Sequence, residues 1–352
     1  MGIFIKGIGI ISPQKNFDSI FFENEIVPLS GSRMQCIEPD YSLFIDTKQI
    51  RRMSRVIKMG VASSMLAMKD AGIEKPDAVI AGTALGCLED TGVFLKKMIQ
   101  NKEEMLNPTP FIYSTHNTIA SQIALTFGCK GYNSTYVHRN ISFESALLDA
   151  MLLLQEGACE NVLAGGIDEL TDASFKILSR LGHFKKAEEL SSGNLYSRTG
   201  AGTIAGEGSA FFALVNKKDD SCYAEINSVR TISFAAEGEV SAKAKALLHD
   251  NGIEKADILI SGHNGDSADD KLFDSVAADL NMSGSVIKFK HLCGEFGTAS
   301  GFSLAMAAYL LKNRNAAKGF GGNYSSLKNL KTILIHNQNK NVHHSLILVS
   351  AC

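Results

Sequence analysis

The sequence predicts an α/β protein assembled from two similar halves. Two observations carry this. Apolar, β-branched runs alternate with longer helical stretches along the chain, and one helix–glycine–strand segment returns at a constant offset of 180 residues.

The opening "MGIFIKGIGIISP" is broken by Lys6, alternates β-branched residues and is followed by no small-residue cleavage site, so it reads as a strand. "IRRMSRVIKMGVASSMLAMKDAG" (50–72) reads as a helix closed by glycine, and "DAVIAGT" (77–83) as the strand after it. "ESALLDAMLLLQEG" (144–157) is a second helix, leading to strands "ENVLAGG" (160–166) and "SAFFALV" (209–215). Beyond the polar "NKKDDS" (216–221) come "CYAEINSV" (222–229), "ADILISG" (256–262) and "HSLILVS" (344–350). Such apolar strands belong to largely buried sheets.

"DAGIEKPDAVIAGT" (70–83) and "DNGIEKADILISGH" (250–263) share Asp, Gly, Ile, Glu, Lys, Asp, Ile and Gly in register. A looser echo pairs "SALLDAMLLLQEGACENVLAGG" (145–166) with "SLAMAAYLLKNRNAAKGFGG" (303–322). The seam is expected at 216–221, giving halves 1–218 and 219–352.

At 352 residues the chain can bury a large core, and its net charge of -2 gives no electrostatic reason to expect nucleic acid or an anionic membrane. No stretch approaches the roughly 20 apolar residues that a spanning helix needs. The seven cysteines are odd in number and scattered, which argues against a disulfide framework or a metal site and for a reduced, cytoplasmic setting.

Nearly the whole chain resembles the β-ketoacyl synthases of the thiolase superfamily. The resemblance rests on "FIKGIGIISP", on "TPFIYSTHNTIASQIALTFGCKGYN" ahead of the nucleophile position, on "LAGGIDE", and on "IAGEGSAFFALV". It implies a five-layered αβαβα fold, a homodimer or heterodimer, and an acyl carrier protein that delivers chains on phosphopantetheine; no other cofactor is implied. It also implies a Cys at a strand-to-helix junction, two His that bind the thioester oxygen as malonyl loses CO2, and a supporting Lys.

Counting from "GYN" (131–133) and back from "LAGG" (163–166) puts Asn140 at the position of that Cys. A carboxamide is no substitute for a thiolate. Ser142 and Ser145 lie past the tight turn where a nucleophile stands and read as helix-start packing. His138 and Arg139 are expected at the end of the strand, either ordering the junction or, with Tyr136, facing a partner subunit.

His263 falls where the resemblance puts the first His, with two readings open: hydrogen bonding to a ligand, or capping the turn. The family's His-Gly-Thr-x-Thr becomes "HNGDS", so Asp266 and Ser267 replace hydroxyls that hold the pantetheine arm, and with Ser142 they are the expected substrate contacts. Lys290 matches the supporting Lys, and Glu295 stands in place of the second His. A carboxylate there opposes a developing enolate oxygen, so Lys290 and Glu295 read as a buried ion pair with Cys293 as small apolar filling. The late Phe-Gly-Phe-Gly gate is missing. Residues 337–342 read "NQNKNV", and "GFGG" (319–322) is taken as a helix-to-strand turn.

These departures point to a chain-length-factor-type partner: a silent subunit beside an active ketosynthase, as in aryl-polyene and flexirubin-type systems. Chain-length factors usually carry Gln, not Asn, at the nucleophile position. Two alternatives stand beside it. One is an enzyme using His263 or Glu295 as general base on carrier-bound thioesters; the other is a non-catalytic homodimer that binds acyl chains or carrier protein.

Overall fold

The computed structural model describes residues 2–15, 26–51, 53–186, 190–313 and 329–352. Its strands are β1 (Phe4–Ile11), β2 (Ala78–Gly82), β3 (Asn133–Tyr136), β4 (Asn161–Asp168), β5 (Gly208–Val215), β6 (Ala224–Ser233), β7 (Ile258–Ser261), β8 (Val286–Lys288), β9 (Thr332–Asn339) and β10 (His343–Ala351). Its helices are α1 (Thr47–Ile50), α2 (Arg55–Ala71), α3 (Leu88–Gln100), α4 (Pro108–Tyr113), α5 (Thr118–Phe127), α6 (Ser142–Gln155), α7 (Asp172–Arg180), α8 (Glu239–Asp250), α9 (Ser267–Asp279), α10 (Lys290–Cys293) and α11 (Ser300–Lys312).

The strands hydrogen-bond in the order β3-β2-β4-β5-β1-β6-β10-β9-β7-β8. Read outward from its middle, this is one five-strand series written twice. In the first half β2 lies parallel to β3 and β4, and β5 antiparallel to β4 and β1. In the second half β7 lies parallel to β8 and β9, and β10 antiparallel to β9 and β6. The halves join through the short pairing Phe4↔Glu225 and Ile5↔Ala224.

Helices α6 and α11 lie between the halves. α6 packs on β2 and β4 and also on β6, while α11 packs on β5, β9 and β10. Outside them, α2 and α5 cover the first half, and α8 and α9 pack together over the second. The result is the five-layered αβαβα order. Successive side chains of a strand therefore enter different cores: in β4, Val162 and Ala164 face the middle layer and Leu163 the outer one, as Ile347 and Leu348 do in β10. Burial on both faces is why these strands show no polar alternation. α11 is buried at every position from Ser300 to Leu311, as a helix in the middle of five layers must be.

The repeated segment occupies equivalent places. Gly72 (φ 66°) ends α2 and Gly252 (φ 70°) follows α8, both left-handed, and β2 and β7 come next. In the looser echo α6 and α11 correspond, and β9 (Thr332–Asn339) holds in the second half the place in the strand order that β4 holds in the first; residues 319–322, expected as a helix-to-strand turn, lie outside the described residues. Residues 340–342 connect β9 to β10: Val342 N–H donates to Asn339 O at 2.9 Å, and Lys340 (φ 49°) and Asn341 (φ 54°) between them are both left-handed, as in the tight turns that join antiparallel strands. Among the described residues no helix is long and apolar enough to cross a membrane.

Candidate functional site

The same junction, from a parallel strand to a middle-layer helix, occurs twice: residues 137–141 between β3 and α6, and 289–299 between β8 and α11. The second copy is longer and supplies Lys290 and Glu295. Backbone contacts bring the copies together. A Cβ on Gly297 would meet the Arg139 carbonyl oxygen at 3.4 Å, and one on Gly166 would touch both Thr298 and Phe143.

The first junction is shaped by Ser142. Its buried hydroxyl accepts from the His138 N–H at 2.8 Å and donates to the Arg139 carbonyl at 2.7 Å. Between these bonds Arg139 is held at φ 51°, a left-handed conformation that is strained for a residue with a side chain. This corrects the expectation that His138 and Arg139 end the strand: β3 stops at Tyr136, and Arg139–Ile141 form a 3-10 turn. The His138 ring leaves the strand as well, with Nδ1 at 3.0 Å from Ser145 Oγ. Asn140 sits half-buried in this turn, and among the described residues the side chains of Asn140 and Arg139 have no hydrogen-bond or ion-pair partner.

In the second junction the fully buried Lys290 Nζ donates to Glu295 Oε1 at 2.5 Å. Glu295 Oε2 accepts from Asn264 Nδ2 at 3.2 Å. Burial pushes the Glu295 carboxyl up, while the Lys290 amine and the Asn264 amide pull it back. The main chain pins this loop as well. Glu295 N–H donates to Ile204 O at 2.8 Å and its carbonyl accepts from Gly206 N–H, and at Gly206 a Cβ would fall 2.1 Å from Cys293 O. Only glycine permits that approach. Cys293 is fully buried, and burial raises its thiol pKa.

His263, at the end of β7, bonds two side chains and, among the described residues, none of the backbone of the turn that follows it. It is 1% exposed, stacks on Phe273, and engages both ring nitrogens, Nδ1 with Ser261 Oγ and Nε2 with Asp274 Oδ1, each at 3.0 Å. Burial lowers its pKa. Asp266 and Ser267, expected to face substrate, instead tie down the loop before Thr203: Asp266 accepts from Gly202 N–H and caps α9 through Ala268 N–H, and Ser267 Oγ accepts from Gly200 N–H. Ser142 is likewise occupied within the junction. These side chains make internal bonds where the resemblance implied contacts with a pantetheine arm.

Three buried carboxylates escaped the sequence reading. Asp168, ending β4, accepts four hydrogen bonds: from Thr83 Oγ1 and Ala84 N–H on one oxygen, and from Thr298 N–H and Oγ1 on the other. It clasps the second junction to the first half, and burial lifts its pKa to about 6. Glu207, in "GEG", takes a bidentate bond from Arg55 and further donors from Cys36 and Leu170, so that motif is structural. Glu144 lies fully buried in the first turn of α6, where burial raises its pKa against the nearby Ser300, Ser345 and Lys290. Among the described residues no group of three or more His, Cys, Asp or Glu side chains is placed to hold a metal.

Residues 33–220 match the family model for the β-ketoacyl synthase N-terminal domain. The chain is 22% identical to 3-oxoacyl-[acyl-carrier-protein] synthase 2 of Staphylococcus aureus, over 90% of this chain and 86% of that protein. It is 26% identical to the Synechocystis protein of the same name, over 50% and 44%. Among solved structures it is similar to the ishigamide ketosynthase/chain length factor (TM-score 0.81, 16% identity, 100% of this chain and 99% of that one). It is also similar to a ketosynthase in complex with its chain length factor from Xenorhabdus doucetiae (0.78, 14%, 100% and 98%). With a scaffold of this order and a model match over more than half its length, the chain belongs to the β-ketoacyl synthase family.

Proposed function

We propose that this chain is the non-condensing, chain-length-factor-type subunit of a cytoplasmic ketosynthase heterodimer that acts on acyl chains held on a carrier protein's phosphopantetheine, in fatty-acid or polyketide synthesis of the aryl-polyene or flexirubin-like kind. The observation that carries this reading is the Lys290–Glu295 pair beside a junction that offers Asn140 and no thiol. The carboxylate that stands where the resemblance puts the second His is held by a buried amine, and Asn140 has no lone pair able to attack a thioester. The similarity of its fold to a ketosynthase/chain length factor and to a ketosynthase in complex with its chain length factor supports it.

The general-base alternative finds less support. His263 has both nitrogens engaged and Glu295 both oxygens. The test is to incubate the purified chain with acyl and malonyl carrier protein, alone and with a ketosynthase from the same host. Alone it forms no acyl-enzyme and releases little CO2; with the ketosynthase, Asn140→Ala leaves complex and product intact. An acyl adduct on this chain, or loss of product from Asn140→Ala within an intact complex, overturns the proposal.

A further inference from the structure

We infer that the single amine of Lys290 serves two buried carboxyl groups, that Glu144 is therefore kept as the neutral acid, and that its proton is a latch on the loop of the second junction. Three ionisable side chains meet here out of water. Glu144 and Lys290 are each 0% exposed, and the Glu295 side chain 11%. They come from separate places in the chain: Glu144 from the first turn of α6, Lys290 from α10, and Glu295 from the residues that follow α10. One positive charge does not balance two carboxylates. An uncompensated charge in the interior is costly enough that the group takes up a proton instead.

The geometry decides which carboxyl carries that proton. Lys290 Nζ donates to Glu295 Oε1 at 2.5 Å and Asn264 Nδ2 to Oε2 at 3.2 Å, so the protein itself solvates the charged form of Glu295. Neither oxygen of Glu144 reaches a well-formed hydrogen bond among the described residues, and neither is accessible to water. Burial pushes its carboxyl up; the hydroxyls of Ser300 on α11 and Ser345 on β10, its own backbone and the Lys290 amine pull it back. Ser300 Oγ is also engaged, accepting from Asn337 Nδ2 at 2.9 Å, and Asn337 stands opposite Ser345 in the β9–β10 ladder. A neutral acid suits these neighbours, because its O–H donates to one hydroxyl and its C=O accepts from the other. An ionised carboxylate there has no cation of its own.

The proton is coupled to the loop. While Glu144 is neutral, Lys290 belongs to Glu295, and the backbone of Glu295 stays tied to Ile204 and Gly206. Once Glu144 ionises, it competes for the same amine and the Lys290–Glu295 pair weakens. Opening the loop admits water, returns Glu144 to the ordinary carboxyl range and releases its proton to solvent. The folded carboxyl is raised, so its share of the closed state's stability is full below that ordinary range and is lost as pH rises through the raised value. The other titratable groups around the loop behave differently. Asp168, which accepts from Thr298, titrates at about 6 and is ionised above pH 7; His291 on α10, beside the Tyr196 hydroxyl, is lowered to about 4 and is neutral there; burial keeps the Cys293 thiol protonated. Asp269 on α9 bears on Glu295 as a like charge.

Infrared difference spectra of the full chain at pH 8 read the proton directly, because ordinary carboxyls are ionised there and a protonated one keeps a separate C=O stretch. Circular dichroism and melting first establish that each variant is folded. The parent-minus-Glu144→Gln spectrum is expected to show that stretch. Parent minus Glu295→Gln shows it too, since the amine then turns to Glu144, whose proton passes to solvent. Lys290→Met, which leaves both acids without a cation, gains a second. A stretch unchanged by Glu144→Gln overturns the neutral acid, and one that survives Glu295→Gln overturns the sharing of one amine. Should Glu144→Gln fail to fold, the other two variants still decide: no loss in Glu295→Gln, or no gain in Lys290→Met, overturns the inference. The latch is read by hydrogen exchange of amides 290–295 between pH 7 and 9. After correction for the chemical exchange rate, protection in the parent falls more steeply than in Glu144→Gln, by up to about tenfold per pH unit, the slope that one proton gives. Equal slopes overturn the latch.

Discussion

Substituting Glu295→Gln preserves shape and removes the charge that Lys290 Nζ contacts at 2.5 Å. Lys290 is fully buried and cannot recover water. Breaking a buried pair from one side costs about 3–5 kcal/mol, and Glu144, whose carboxyl also feels Lys290, moves the expectation to the lower end, about 3 kcal/mol. Unfolding entropy of about 2.1 cal/mol/K per residue over 352 residues gives roughly 0.7 kcal/mol/K, so the loss corresponds to about 4 °C in Tm. The reverse variant behaves differently. Lys290→Met leaves two buried carboxyls that can take up protons, so their folded pKa lies above the unfolded value. Its stability is then fully present below about pH 4 and lost as pH rises through the raised folded pKa. The double variant Lys290→Met/Glu295→Leu removes both charges and is expected to recover most of the loss. Calorimetry on the four proteins at pH 6 and pH 8 decides. A Glu295→Gln variant within about 1 °C of the parent, or a double variant no better than the worse single one, refutes the claim that this pair holds the loop.

Acid lability follows from the histidines. Burial lowers His336 to about 3 and His344 to about 4, below the ordinary 6.5, so as pH falls below about 6.5 the unfolded chain binds protons that the folded chain does not, and stability declines by up to about 1.4 kcal/mol per pH unit for each ring. Denaturant midpoints between pH 7 and 5 measure it, and a flat profile contradicts it. Asp168→Asn exchanges one two-donor acceptor for an NH2 that faces donors, and is expected to cost about 2–4 kcal/mol by chemical denaturation. Arg139→Gly relieves the left-handed backbone and is expected to raise unfolding free energy by about 0.5–1 kcal/mol; a destabilised variant shows that the arginine side chain contributes more than its strain costs.

What was legible in the sequence was what burial writes locally. Strands such as "VLAGG" and "LILV" stood out because each strand face meets a core, and the 70–83 and 250–263 repeat survived because a left-handed glycine and a strand need the same residues twice. What was not legible depends on contacts distant in sequence. β9, "TILIHNQN", carries three buried polar residues, His336, Asn337 and Gln338, and so lacked the apolar signature that would have displaced "GFGG". The commitment of His263 to Asp274, of Asp266 to Gly202, and of Asn264 to Glu295 joins loops that local pattern cannot connect. The left-handed Arg139 breaks the propensity that sequence reasoning relies on, and Ser142 overrides that propensity with two hydrogen bonds.

The doubled junction bears on how such a chain can change over generations. Because the repeated strands and middle-layer helices carry the folding energy, while Asn140 sits in a connection with no side-chain partner among the described residues, substitution there is largely uncoupled from the survival of the framework. A lineage can then drift at the chemistry without passing through unfolded intermediates. It can also lengthen one connection alone, as residues 289–299 are longer than 137–141, and so let two descendants of one ancestral unit diverge in what they do while both still fold.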